Sequence, residues 1–176
     1  MEIKLAIDRY DRHFPFFDGS LSHSFNIEIR PFQVGQSAIL QHGTDRHELF
    51  LEGQFDVAEF SMSSFLAAKT RGYPIVGIPL FPRRLFSTSQ MWVRQDSDMT
   101  DPAHLVGKNV ALSAFQTTLS LLAKGDLEFH YKVPWRSINW KLTTKEKIPL
   151  EHGPGVSVEF IGYRDRLGDR LHAGEI

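Results

Sequence analysis

The chain has 176 residues, 41% of them hydrophobic and 23% charged, with a formal net charge of −1. That is the composition of a globular protein with material for one ordinary domain or two small lobes, and the near-neutral balance implies neither a nucleic-acid patch nor a membrane-surface charge. The absence of cysteine excludes disulfides, thiolate metal sites and a cysteine nucleophile.

The opening run Met1-Glu2-Ile3-Lys4-Leu5-Ala6-Ile7-Asp8-Arg9 breaks off after a short apolar stretch. No signal-peptide core follows it, and no apolar run is long enough to cross a bilayer, so a cytoplasmic location is expected. Lys4 to Asp8 reads as a first strand. Phe25 to Phe32 alternates apolar and polar residues as a half-buried strand does, with Pro31 marking its end. His47 to Gly53 predicts a short helix closed by Gly53. Phe55 to Ser61 predicts a strand, Ser63 to Arg71 a helix closed by Gly72, and Ile75 to Leu80 a buried strand. This alternation argues for an α/β layer structure with parallel strands.

A second unit is expected from about Met91-Trp92-Val93, giving lobes over residues 1–91 and 92–176. Asp101 and Pro102 form a helix start, as N-cap and first helical residue. Asn109 to Leu112 predicts a strand, and Thr117 to Tyr131 a helix with Leu119, Leu122 and Ala123 on one face. Val156 to Ile161 reads as a further strand, and Arg166 to Ala173 as a last helix before Gly174. A strand is expected to follow Gly174, so the 176 residues read as part of a longer chain.

Two strand-to-helix junctions carry clustered polar side chains: Ser61, Ser63 and Ser64 in the first half, Gln116, Thr117 and Thr118 in the second. Unpaired N–H groups and the helix dipole favour an anion at such a place, so the two junctions together read as a grip on a carboxylate or phosphate. Ordinary helix capping explains a hydroxyl there equally well. No Gly-x-Ser-x-Gly elbow, Gly-x-Gly-x-x-Gly or Walker sequence is present, which disfavours hydrolase and nucleotide-binding readings. His42 and His47 lack a carboxylate at matching helical spacing, so no metal pair is assigned.

The run Gln54–Leu66, the run Ile78–Phe86 and the triplet Tyr10-Asp11-Arg12 together resemble the 4,5-dihydroxyphthalate decarboxylase family. Asp101-Pro102, Gly107-Lys108, Gln116, Thr118, Gly125, Tyr131, Trp140 and the closing Leu171–Ile176 extend the resemblance over nearly the whole chain. It implies the two-lobed α/β fold of type 2 periplasmic binding proteins, with the chain's return to lobe one missing, since family members are considerably longer. Departures exist. Ser87-Thr88 stand where many members carry Arg-His, Leu122 and Lys124 where a Trp and an Arg are common, and Lys141–Thr144 follow Trp140 in place of Gly-Gly.

The resemblance implies a carboxy-lyase acting on a hydroxylated aromatic dicarboxylate, 4,5-dihydroxyphthalate going to protocatechuate. In that reaction a phenol para to the departing carboxylate feeds density into the ring, and a general acid protonates the carbon that loses CO2. No organic cofactor is required in principle, and no metal is implied. Arg84, which matches the family's arginine, and Arg83 beside it are candidates for the retained carboxylate, because an arginine fork matches one in two parallel hydrogen bonds. A solvated pair after a strand explains them as well. Tyr10, Asp11 and Arg12 follow the first strand, where ligands gather in α/β sheets. Asp11 or the nearby His13 is the candidate for proton transfer, and Ser61, Ser63, Gln116 and Thr118 for orienting the ring substituents. The partner expected is a small aromatic carboxylate, with a homo-oligomer left open. The alternative is an anion-binding component of the ABC-transporter type that closes without chemistry.

Overall fold

The computed structural model describes residues 1–21, 26–34, 46–82, 86–146, 148–149, 151–162 and 166–176. Its contacts group into two compact units, Met1–Ser61 with Ala68–Arg83, and Met62–Ala67 with Arg84–Ile176. Both are α/β.

In the first unit β1 (Glu2–Ile7) lies between β2 (Glu28–Gln33) and β3 (Val57–Ala58), and both pairings are parallel. Ala6 and Ile7 of the central strand are buried. Pro31 does not end β2 but sits inside it, opposite Leu5. The amides of Glu28 and Val34 donate to the carbonyls of Met1 and Ile7, so by strand alternation the nitrogen of Pro31 faces away from β1. An edge strand tolerates a missing donor on that side. A 3-10 turn over Asp11–Phe16 follows β1, and helix α1 (Arg46–Leu51) packs on β1 and β3. Gly53 then takes a φ of 80°.

β3 is shorter than the predicted Phe55–Ser61 strand. Asp56 and Glu59 still donate to Lys4 and Ala6, and the Asp56 carboxylate accepts the Lys4 amide at 2.8 Å. The predicted buried strand at Ile75–Leu80 is absent. Val76 is 88% exposed and Leu80 76%, and the segment closes on itself through Ile75 to Tyr73 and Leu80 to Ile78 bonds. These i→i+2 contacts bend a chain that has no ladder partner among the described residues.

Helix α2 (Met62–Thr70) ends before Gly72, whose φ of 79° lets the chain leave the helix. Ala68 in its second half is fully buried.

In the second unit β5 (Asn139–Leu142) lies between β4 (Asn109–Leu112) and β6 (Ser157–Phe160), again all parallel. Asp101 caps the 3-10 turn Pro102–Leu105 ahead of β4, accepting from the Ala103 amide at 2.7 Å. Trp140 and Leu142 of the central strand face a core with Phe115, Leu127, Val133 and Ile138. Each large apolar side chain so buried contributes about 1.5–3 kcal/mol. The Trp140 indole satisfies its N–H on the Trp135 carbonyl at 2.9 Å.

Helix α3 (Thr118–Gly125) runs directly into a π-helical turn, Asp126–His130, closed by the Tyr131 amide on the Asp126 carbonyl. The face it buries is Ser120, Ala123, Lys124 and Leu127; Leu122, expected on the inner face, is 48% exposed. Helix α4 (Leu167–His172) ends before Gly174 at a φ of 74°.

Candidate functional site

Candidate side chains gather in both units beyond the carboxyl ends of the strands, where parallel sheets leave unpaired backbone groups for a ligand. In the first unit the organiser is Arg46. Its guanidinium is fully buried and reaches the residue that follows each strand. It pairs with the carboxylates of Asp8 after β1 (3.2 Å) and Glu59 after β3 (3.3 Å). It also donates to the carbonyl of Val34 after β2 (2.7 Å) and of Glu59 (2.6 Å). A buried cation is tolerable only when so enclosed.

Around this post stand several of the predicted residues. Tyr10 donates from its hydroxyl to the Asp8 carboxylate at 3.0 Å. His13 is buried, with Nδ1 2.8 Å from the Asp8 carbonyl, a contact that fits the tautomer protonated there and presents Nε2 as the acceptor. Arg12 lies over the Tyr10 ring at 4.2 Å, and Tyr10 and His13 have ring centroids 5.4 Å apart. Asp11 is exposed at the start of the 3-10 turn. Ser61 stands at the N-cap position of α2 without a side-chain cap, and its amide donates to His47 Nε2 at 3.0 Å. His47 packs edge-on to Phe60 at 4.3 Å. Its ring is thus a backbone acceptor in the core. His42, Arg83 and Arg84 lie outside the described residues.

In the second unit the junction between β4 and α3 is wired by side chains at every polar backbone position of Phe115 and Gln116. Glu146 accepts the Phe115 amide with one oxygen and the Gln116 amide (3.3 Å) with the other. Lys124 donates to the Phe115 carbonyl at 2.6 Å. Ser63 donates from Oγ to the Gln116 carbonyl, and its amide donates to Thr118 Oγ1 at 3.2 Å. The structure therefore brings Ser63, Gln116 and Thr118 together. Thr117 is the N-cap of α3, accepting the Ser120 amide at 3.2 Å, so capping accounts for its hydroxyl.

The charges here are unusual. Lys124 is only 5% exposed, with Nζ 3.1 Å from the Phe115 ring centroid and 5.9 Å from those of Trp135 and Trp140. Burial lowers its pKa to about 8, against an upward pull from the Glu146 charge. Burial raises the Glu146 pKa, opposed by the Phe115 and Gln116 amides and by the charges of His152 and Lys124. The Gln116 carboxamide oxygen is buried without a hydrogen-bond partner.

Sequence reasoning assigned no role to Arg46, Lys124 or Glu146. Lys124 carried a signal, since it falls on the α3 face with Ser120, Ala123 and Leu127. Arg46 and Glu146 carried none, because their partners are distant in sequence. Among the described residues no group of three or more His, Cys, Asp or Glu is placed to hold a metal, and no helix is long and apolar enough to cross a membrane.

A family model described as NMT1/THI5 like matches residues 38–126, just over half of the chain. The chain is also similar to two curated proteins, in both cases over the whole of this chain. It is 29% identical to a 4,5-dihydroxyphthalate decarboxylase of Comamonas testosteroni, covering 53% of that protein. It is 25% identical to a 4,5-dihydroxyphthalate decarboxylase of Pseudomonas putida, covering 68% of that one. The chain thus spans about half the length of the first of these relatives.

Proposed function

The chain belongs to the NMT1/THI5-like family, and from that premise we propose that it decarboxylates a hydroxylated aromatic dicarboxylate, 4,5-dihydroxyphthalate, to protocatechuate and CO2. One observation carries the reading: all of this chain aligns with two proteins that bear that activity in their names. The α/β fold with parallel sheets agrees with the periplasmic-binding-protein-like class that the family implies. Within that class we read residues 1–91 and 92–176 as two lobes.

The roles follow from chemistry and placement. Arg12 and Arg84 hold carboxylates, with Arg83 beside the second. Tyr10 and Arg12 stack as one platform for an aromatic acid. His13, its Nδ1–H held by the Asp8 carbonyl, takes up the phenolic proton on Nε2 and delivers it to the ring carbon as CO2 leaves, with Asp11 as the alternative proton acceptor. Gln116 and Thr118 orient the ring hydroxyls. Ser61 and Ser63 shape the junctions, Ser63 through the Gln116 carbonyl. No cofactor enters this scheme. A cytoplasmic setting suits a catabolic enzyme of this kind, and cell fractionation tests it.

A second reading is an anion-binding component without catalysis. It is favoured by Ser87-Thr88 standing where the decarboxylase pattern has Arg-His; Ser87 Oγ here donates to the Asp126 carboxylate. The experiment that separates the two is turnover of 4,5-dihydroxyphthalate against saturable binding of it. Product formation that His13→Gln abolishes supports the enzyme, and tight binding of an unchanged diacid supports the binding component.

A further inference from the structure

Four backbone groups, the N–H and C=O of Phe115 and Gln116, meet four side-chain partners drawn from Glu146, Lys124 and Ser63. Turns of this kind are ordinarily left to water or to one cap. Here two of the partners are ionisable groups that burial penalises, and a charge in such a place costs stability unless it fixes something. What stands next to it is the Gln116 carboxamide, 7% exposed, with its oxygen lacking a donor. A buried amide oxygen without a partner is destabilising, and the loss is recovered when a donor arrives.

We infer that Lys124 and Glu146 are positioning residues: an ionic clamp across the Phe115 peptide that holds the Gln116 carboxamide oxygen ready to accept from a ligand hydroxyl. The clamp stands on the geometry alone, while the hydroxyl-bearing ligand rests on the function proposed above. Lys124 reaches the Phe115 carbonyl from α3, and Glu146 reaches the Phe115 and Gln116 amides from the segment after β5. The two grip opposite sides of one residue. Neither touches the carboxamide, so each acts through the backbone. Among the described residues, His152 is the further charged group that acts on Glu146, and its ring lies 4.7 Å from that of Phe115.

The ligand chemistry is specific. An acceptor rewards O–H donors and repels carboxylates, so this point selects for ring hydroxyls over anionic groups. Misplacing a positioned group by an ångström costs on the order of 10²-fold.

The test compares wild type with Lys124→Met, Lys124→Arg and Glu146→Gln. Affinities for 4,5-dihydroxyphthalate and for phthalate, which lacks the hydroxyls, are measured by calorimetry from pH 5.5 to 9.5. Amide exchange is followed at Phe115 and Gln116. We expect wild type to prefer the dihydroxylated diacid, Lys124→Met to lose that preference by about 10²-fold, and Lys124→Arg to keep it and to flatten the alkaline side of the profile. Both Lys124→Met and Glu146→Gln should speed exchange at the junction amides while the melting transition stays cooperative. Unchanged preference and unchanged junction exchange in these variants overturn the inference. If wild type binds neither diacid, the proposed function fails, and exchange alone decides the clamp: faster at residues 115 and 116 supports it, unaltered overturns it. Should Lys124→Met not fold, Glu146→Gln decides by itself: faster exchange at residues 115 and 116 supports the clamp, and unaltered exchange overturns it.

Discussion

Single charged residues hold both candidate sites in shape. Arg46 ties the ends of three strands together through Asp8, Val34 and Glu59. Replacing it with Met strands two carboxylates near the core, so Arg46→Met should destabilise by about 3–5 kcal/mol in urea unfolding. A loss below 1 kcal/mol would mean that the cluster relaxes into water. Lys124 makes a prediction in pH. Its proton leaves the folded chain at about pH 8, whereas an unfolded lysine holds it to about 10.5. Between those values the unfolded state binds more protons, so this residue makes stability rise with pH. Wild type should therefore gain on Lys124→Met from pH 8 to 10.5 in parallel melts. Glu146 has the opposite sign, because its raised pKa makes the folded state hold the extra proton above 4.5.

At the scale of elements, the buried faces decide what each change costs. Thr117→Ala removes the α3 cap and should cost about 1 kcal/mol. Trp140→Ala empties the centre of the second sheet's core and should cost about 3–5 kcal/mol by chemical denaturation. The helices that end at glycine-marked turns were legible because Gly53, Gly72 and Gly174 close them, each with a positive φ. β4 was legible as a short apolar run, Val110-Ala111-Leu112, after Gly107-Lys108. β5 was not, because Asn-Trp-Lys-Leu is four residues long and bounded by no glycine or proline, although it is the strand on which the second sheet is built. The helix face was misread for a related reason. Leu122 looks like core by type, but the period through Ser120, Ala123, Lys124 and Leu127 puts two polar residues inward to serve the Phe115 turn. Ile75–Leu80 misled by hydropathy alone, since an apolar run becomes a strand only when a neighbour completes its ladder. Of the site, the two hydroxyl-rich junctions were readable from residue type and order, and the clamp behind one of them was not, because Glu146 has no local pattern.

At the scale of the whole molecule, large apolar side chains stand exposed in both units. Val76, Ile78, Leu80 and Phe81 are exposed in the first unit, and Phe86, Trp92 and Val93 in the second. A run of exposed apolar side chains such as Val76 to Phe81 marks a contact site or promotes association. The 176-residue chain should bind an apolar dye and self-associate with concentration, and Val76→Glu with Leu80→Glu should weaken both in dye fluorescence and sedimentation. Unaltered dye binding in that pair would mean that the first unit's apolar run contributes none of it. The function proposed for this surface-rich, two-unit chain stands on its similarity to decarboxylases about twice or one and a half times its length. The most direct measurement is ultraviolet monitoring of 4,5-dihydroxyphthalate with the purified chain, beside a form extended through any downstream coding sequence. Protocatechuate appearing with either form, and absent with its His13→Gln variant, is the result the account predicts. A folded, extended protein that binds the diacid and leaves it intact would contradict it.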